Sequence, residues 1–228
     1  MLFRSGDADV ALDLMPDYTL ADVALNVDRL DMTFLRRSLS KHATGLSLLP
    51  HPVQLEDIGL IHEDHLQRVI GLLRASYTHL ILDLSKRFTP TDMTALHASD
   101  VILVVAQLEL SSLRNIVRML LTMGQDDTLN DKIKVIVNRT GSDFLEGDIS
   151  LKKAEETIGR PIYWQIPNDS KAMIGSRNNG VPLLQHAPRC KSQLAIAGLA
   201  QTLFAKEAAN GHNGHAAKKE KRGFFSFR

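Results

Sequence analysis

Asp83 is the first residue whose type and place could do chemistry. His79-Leu80-Ile81-Leu82-Asp83-Leu84 reads as a strand buried on both faces, and Asp83 closes it. A carboxylate there can hold Mg2+ through water beside a nucleotide's phosphates; it can equally cap the next turn. Asn138 closes Lys134-Val135-Ile136-Val137-Asn138. A carboxamide both donates to and accepts from an adenine edge, although asparagine also simply turns a chain. In Pro167-Asn168-Asp169 the proline stops a strand, and the polar pair either lines a site or caps the following helix.

The elements that must position these residues alternate. Leu46-Ser47-Leu48-Leu49 predicts a strand stopped by Pro50, and residues 63–76 carry a helical stripe of Leu66, Val69, Ile70, Leu72 and Leu73. A short helix over Thr91–Ala98, with Asp92 in its first turn, leads to a strand at Val101–Ala106. Ser111 or Ser112 could cap the helix carrying Leu113, Ile116, Val117, Leu120 and Leu121. Ser150 and Gly159 bracket a helix over Leu151–Ile158, residues 161–167 form a last strand, and a helix fills residues 191–206. Continuous apolar strands separated by helices imply an α/β fold with a mostly parallel, doubly wound sheet. Ligands of such sheets sit off the carboxyl ends of the strands, which selects Asp83, Gln107 and Asn138-Arg139.

The 228 residues suit one large α/β domain with a tail. A formal charge of +1 supplies no field that selects nucleic acid. One cysteine, Cys190, excludes an internal disulfide and fits a reducing compartment, and the nine histidines show no metal-ligand spacing. No apolar run reaches the roughly 20 residues of a membrane-spanning helix, and no signal peptide is visible; the reading is cytoplasmic. The sequence has no G-x-x-x-x-G-K-[ST] loop or Lys-Gly-Gly variant of it, and no G-x-S-x-G elbow.

Several stretches, in order, resemble the MinD/ParA-type P-loop ATPases, in particular the CpaE/TadZ-like branch that serves Flp/Tad-type pilus assembly. They are Asp9–Leu14 with Tyr18–Val23, Leu30-Asp31, Gly45–Pro50, Leu80–Leu84, Leu110–Asn115, Val135–Arg139, Ile166–Asp169 and Asn179–Leu183. Together they span roughly residues 7 to 205. The resemblance implies ATP and Mg2+ as cofactors of the complete protein. It makes Asp83 the catalytic carboxylate that holds Mg2+ through water, and it places Asn138, Arg139, Pro167 and Asp169 around the nucleotide. Ser85 stands where relatives often have proline.

The family begins with a strand, a lysine- and glycine-rich phosphate loop and a helix, and this sequence starts after all three. A truncated reading frame is therefore expected, with residues 1–6 a non-native start, 7–207 a partial ATPase domain and 208–228 a flexible basic and aromatic tail. Without the loop the chain should bind ATP poorly, and the sheet should lack a middle strand. Lys218, Lys219, Lys221 and Arg222 precede Phe224, Phe225 and Phe227. That pairing suits docking on anionic lipid at the inner membrane or cell pole, or on a partner, as well as a solvated end. The implied function is nucleotide-dependent localisation with pilus-assembly proteins as partners and a homodimer when complete. A non-catalytic scaffold on the same fold is the alternative, and DNA segregation is disfavoured by charge.

Overall fold

The computed structural model describes residues 8–52, 54, 56–85, 87–141 and 149–211, with side chains through residue 204. In chain order the elements are α1 (Ala8–Ala11), α2 (Leu20–Leu25), α3 (Met32–Ser38), β1 (Ser40–Lys41), β2 (Ser47–Leu48), α4 (Glu63–Ser76) and α5 (Pro90–Ala98). Then come β3 (Ile102–Ala106), α6 (Leu110–Met123), α7 (Asp127–Asn130), β4 (Ile133–Thr140) and α8 (Leu151–Ile158). β5 (Ile162–Pro167), α9 (Ser170–Asn178), α10 (Leu183–His186) and α11 (Lys191–Gly211) follow. α11 thus continues past residue 207, into the stretch expected to be irregular.

β3, β4 and β5 form a parallel sheet in that order, with Val104 opposite Val135 and Val137 opposite Gln165. Parallel neighbours need crossovers, and α6 with α7 and then α8 supply them. α8 starts where Ser150 accepts a hydrogen bond from the Lys153 amide (3.3 Å), and it ends where Gly159 takes the left-handed conformation (φ 72°). Ile102, Val104 and Ala106 of β3 pack with Leu113, Ile116 and Leu120 of α6 and with Ala154 and Ile158 of α8 in one core.

A second core collects Leu20, Val23, Leu35 and Leu49 around the α4 stripe of Leu66, Val69, Ile70 and Leu73. That spacing puts four apolar side chains on one helix face. Burying each contributes about 1.5–3 kcal/mol, enough to fix a helix whose isolated stability would be marginal. Arg74 ties the end of α4 to the turn that follows α5 by donating to the Ala98 carbonyl and to Asp100 (3.2 Å). α5 bridges the cores, with Ala95 in one and Leu96 in the other.

Four expectations need correction. Residues 79–84 belong to no sheet among the described residues. Leu80, Leu82 and Leu84 pack on the second core and give the stretch its apolar character, but no neighbouring strand is there to make a ladder. The strand at 46–49 shrinks to Ser47–Leu48, which pairs antiparallel with Ser40–Lys41 in a hairpin apart from the parallel sheet. β3 is covered on one face only: Leu103 and Val105 are 39% and 54% exposed, because no described helix lies over them. α6 is capped at Glu109, without a side-chain bond. Ser112 lies inside its first turn and accepts instead from the Gln107 amide (2.9 Å), which satisfies the donor that leaves β3.

Candidate functional site at the carboxyl edge of the sheet

The last residues of β4 and β5 are built irregularly. Asn138 lies opposite Ile166 and Thr140 opposite Pro167, so Arg139 is an extra residue that the partner strand does not match. Such a bulge re-aims a strand end. Arg139 has φ 59°, the left-handed region, and is exposed. The Asn138 carboxamide oxygen accepts from the Arg139 amide (2.9 Å) and holds this turn. A non-glycine residue there costs about 1–2 kcal/mol. Arg139→Gly is accordingly expected to raise the urea midpoint by the equivalent of about 0.5–1 kcal/mol; an unchanged or lower midpoint would show that the turn carries no strain.

The following loop is held from both sides. The Asn168 amide donates to the Thr140 carbonyl (2.8 Å), and the Thr140 hydroxyl donates to Ile166 (3.3 Å). Ser192, 1% exposed at the start of α11, donates to the Pro167 carbonyl (2.8 Å). Asp169 occupies the N-cap place of α9, yet its side chain makes no capping bond. Asp169 also lines an open groove of about 620 Å³ shared with Lys171, Ile174 and His186. Asn168 turns to the local chain and accepts from the Ser170 hydroxyl (2.9 Å).

Asp83 is half-buried on the stretch outside the sheet. The loop after it is organised by Asp92, 2% exposed in the first turn of α5. The Asp92 carboxylate accepts from the Ser85 hydroxyl (2.6 Å) and amide (3.4 Å), and from the Thr89 amide (3.0 Å) and hydroxyl (2.8 Å). Inside this clamp Phe88 turns left-handed (φ 51°). The sequence reading placed Asp92 only as a helix-start acid. Thr89-Pro90-Thr91-Asp92 is a capping box with proline at the helix start, and that was the available signal.

The structure therefore brings Asn138, Arg139, Pro167 and Asp169 to one edge. Asp83 makes no hydrogen bond or ion pair with them; it is linked through its neighbour Leu84, which packs on both cores. Lys218, Lys219, Lys221, Arg222, Phe224, Phe225 and Phe227 lie outside the described residues. Among the described residues, no three His, Cys, Asp or Glu side chains form a metal cluster, and no helix is long and apolar enough to cross a membrane. Asp126, whose carboxyl is held below its ordinary value chiefly by the Thr128 hydroxyl, sits before β4, away from this edge.

A second contact joins two distant stretches. Gly180 (φ 62°) closes the α9–α10 turn, and a Cβ on it would lie 2.5 Å from the Asp13 Cβ. The segment after α1 is thus seated directly on that turn.

No protein-family model matches the chain. A putative septum site-determining protein MinD from Tupiella akineta is 23% identical over 192 residues. The match covers 83% of this chain and 61% of the relative, so the chain spans about three-fifths of that relative's length. Among solved structures, a ParA family ATPase from Chlorobium tepidum TLS is similar with a TM-score of 0.80 and 27% identity, over 88% of this chain and 82% of that one. The septum site-determining protein MinD of Pyrococcus horikoshii OT3, complexed with Mg-ADP, is similar with a TM-score of 0.71 and 21% identity, over 87% and 78%.

Proposed function

We infer from the MinD/ParA-type P-loop ATPase fold of this chain that it forms the base-side part of an ATP-binding switch that localises or assembles other proteins. The observation that carries this reading is the paired edge of Asn138-Arg139 and Pro167–Asp169, where a strained bulge and a doubly held loop converge. Strain retained at the ligand-facing end of a parallel sheet is a feature of binding sites.

The residues present fit part of an ATP–Mg2+ complex. The Asn138 amide group has donors left after its oxygen holds Arg139, and Asp169 has a carboxylate unused in capping. Asp83 supplies a carboxylate of the kind that holds Mg2+ through water. The phosphates need backbone amides and a lysine on a glycine-rich loop, and the sequence contains no such loop. We propose that the loop belongs to a longer protein, which would act as a homodimer. Flp/Tad-type pilus assembly, with pilus-assembly proteins as partners, is our proposal for its setting; it rests on the sequence resemblance. In that setting the protein would work in the cytoplasm, at the inner membrane or cell pole.

The test is ATP affinity measured with a fluorescent analogue. The chain alone should bind weakly. Joined behind a strand, a loop with lysine and a helix, it should gain at least about a hundredfold, the equivalent of 2.7 kcal/mol. Asn138→Ala in the joined protein should lose roughly 5- to 150-fold, the range of one bidentate amide–adenine pair. Unchanged affinity in Asn138→Ala would remove the base-side reading. For the setting, deletion of the gene should abolish pili; normal piliation would remove that part.

The scaffold reading has one observation in its favour. Leu80, Leu82 and Leu84 are half-buried against the second core although residues 79–84 have no ladder, so this stretch has packing that does not depend on a nucleotide loop. If the joined protein gains no ATP affinity, the scaffold is the better account.

A further inference from the structure

Helix α11 carries the chain away from the candidate edge. Near its start Ser192 donates to the Pro167 carbonyl at that edge (2.8 Å). About 18 Å further along the helix axis, the ring of Phe204 lies 4.0 Å from the ring of His79. His79 opens the stretch that Asp83 closes. The helix runs on to Gly211, and residues 212–228 follow it outside the described residues. The segment after α11 is therefore delivered beside His79 rather than beside Asn138 and Asp169.

His79 also lines a pocket of about 190 Å³, together with Leu39, Leu46, Ser47, Tyr77 and Thr78. Its volume decides what it can hold. Nucleotides and other small-molecule ligands take roughly 300–1,000 Å³, whereas one aromatic side chain needs less. The polar groups around the pocket already serve each other. The Tyr77 hydroxyl donates to the Ser47 hydroxyl oxygen (3.4 Å), and the Thr78 hydroxyl shares a hydrogen bond with His79 Nδ1 (3.0 Å). Leu39, Leu46 and the Tyr77 ring supply apolar lining. Gly45 forms a further part of the wall, and a Cβ there would meet nothing within 4 Å, so the approach is open. The occupant this chemistry fits is one apolar ring, with the rings of Tyr77 and His79 as its neighbours.

The sequence after α11 holds such rings: Phe224, Phe225 and Phe227 follow a run of lysine and arginine. Burying a phenylalanine is favourable, and the length of chain allows it here. From Gly211 back to the level of Phe204 is seven residues of helix, about 10 Å. The residues from Gly211 to Phe225 can span up to about 50 Å. A connection longer than the gap it must close holds its end near the target at millimolar effective concentration, so a weak seat is filled. We propose that the pocket at Tyr77 and His79 seats a phenylalanine of residues 224–227, so that the chain's own tail folds back on the domain. A seated tail is withheld from lipid and from partner proteins. The pocket includes neither Asp83, Asn138 nor Asp169, and the docking does not rest on the nucleotide reading.

The experiment uses the whole chain with the photoreactive p-benzoylphenylalanine in place of Ser226, which leaves the three phenylalanines intact. After irradiation, cross-linked peptides are identified by mass spectrometry. The main product should join residue 226 to residues 39–47 or 77–79 of the same chain, with a yield that is unchanged on tenfold dilution. Leu46→Glu should lower that yield at least fivefold, while unaltered hydrogen exchange in α4 and α8 reports that the variant is folded. If it is not, Thr78→Glu, at an exposed position, is read in its place. Separately, removing residues 212–228, or changing Phe224, Phe225 and Phe227 together to serine, should speed amide exchange in 45–47 and 77–79 at least threefold. Cross-links to other parts of the domain, cross-links between chains that fade on dilution, or cross-links only to added phosphatidylserine vesicles overturn the proposal. Exchange that is unchanged when the tail is removed overturns it as well.

Discussion

Asp92→Ala is expected to lower the unfolding free energy by about 3–5 kcal/mol. Asp92 is 2% exposed, and four donors from Ser85 and Thr89 converge on its carboxylate. Alanine leaves those donors without their acceptor. Each buried donor left unsatisfied costs about 1–3 kcal/mol, reduced where the loop opens to water. The N-cap of α5 is weakened as well, because the Asp92 carboxylate forms half of the capping box with Thr89. Urea denaturation should show a lower midpoint with the slope retained. A loss under about 1 kcal/mol would mean that the loop after Asp83 is held by something else. Ser85→Ala removes the shortest of those bonds together with the acceptor of the Arg87 amide (3.2 Å) and should lose about 1 kcal/mol. In the Asp92→Ala background it should lose less, since the bond between the two residues is already gone and only the Arg87 contact remains to be lost.

The same clamp shows what the sequence could and could not reveal. Helix α4 and the bounds of α8 were legible because their signals are local: an apolar stripe at helical spacing, and a serine before and a glycine after a short run. The parallel sheet was legible from the alternation of strand-like and helix-like runs, and β3, β4 and β5 fall where the apolar runs stand. Residues 79–84 read as a strand for an equally local reason, their leucines, but a strand is a pairing, and whether a neighbour exists is not a local property. For the same reason the exposed Leu103 and Val105 could not be foreseen: a continuous apolar run states what a strand would bury and not what is present to bury it.

At the candidate site the residue types were legible and the backbone was not. Asn138-Arg139 was picked out because it closes an apolar run, yet the bulge that makes Arg139 left-handed comes from its register against Ile166 and Pro167, residues far along the chain. Asp169 was weighed as a helix cap, and the structure leaves it in that place without the hydrogen bond that would make capping its purpose. The Asp92 carboxylate holds a loop rather than a ligand, so a search for ligand-facing acids passes over it, although it sets the conformation of the residues that follow Asp83.

Gly180→Ala should be nearly as damaging as the loss of Asp92, by about 2–4 kcal/mol, and its origin can be separated into two parts. Gly180 has φ 62°, a conformation that costs a non-glycine residue about 1–2 kcal/mol. An added Cβ would also lie 2.5 Å from the Asp13 Cβ and 3.2 Å from its amide nitrogen, so the chain after α1 must move off the α9–α10 turn; overpacking of that kind costs about 1–3 kcal/mol. Asp13 is itself left-handed (φ 49°), so Asp13→Gly removes the obstructing Cβ in a conformation that glycine adopts freely. In the Asp13→Gly background, Gly180→Ala should therefore lose less, the conformational part of about 1–2 kcal/mol together with whatever the remaining 3.2 Å approach to the backbone nitrogen of residue 13 costs. Hydrogen exchange locates the difference: in the single variant, residues 8–14 should exchange faster while α4 and α8 are unaffected. Equal losses in both backgrounds would show that Asp13 does not rest on Gly180.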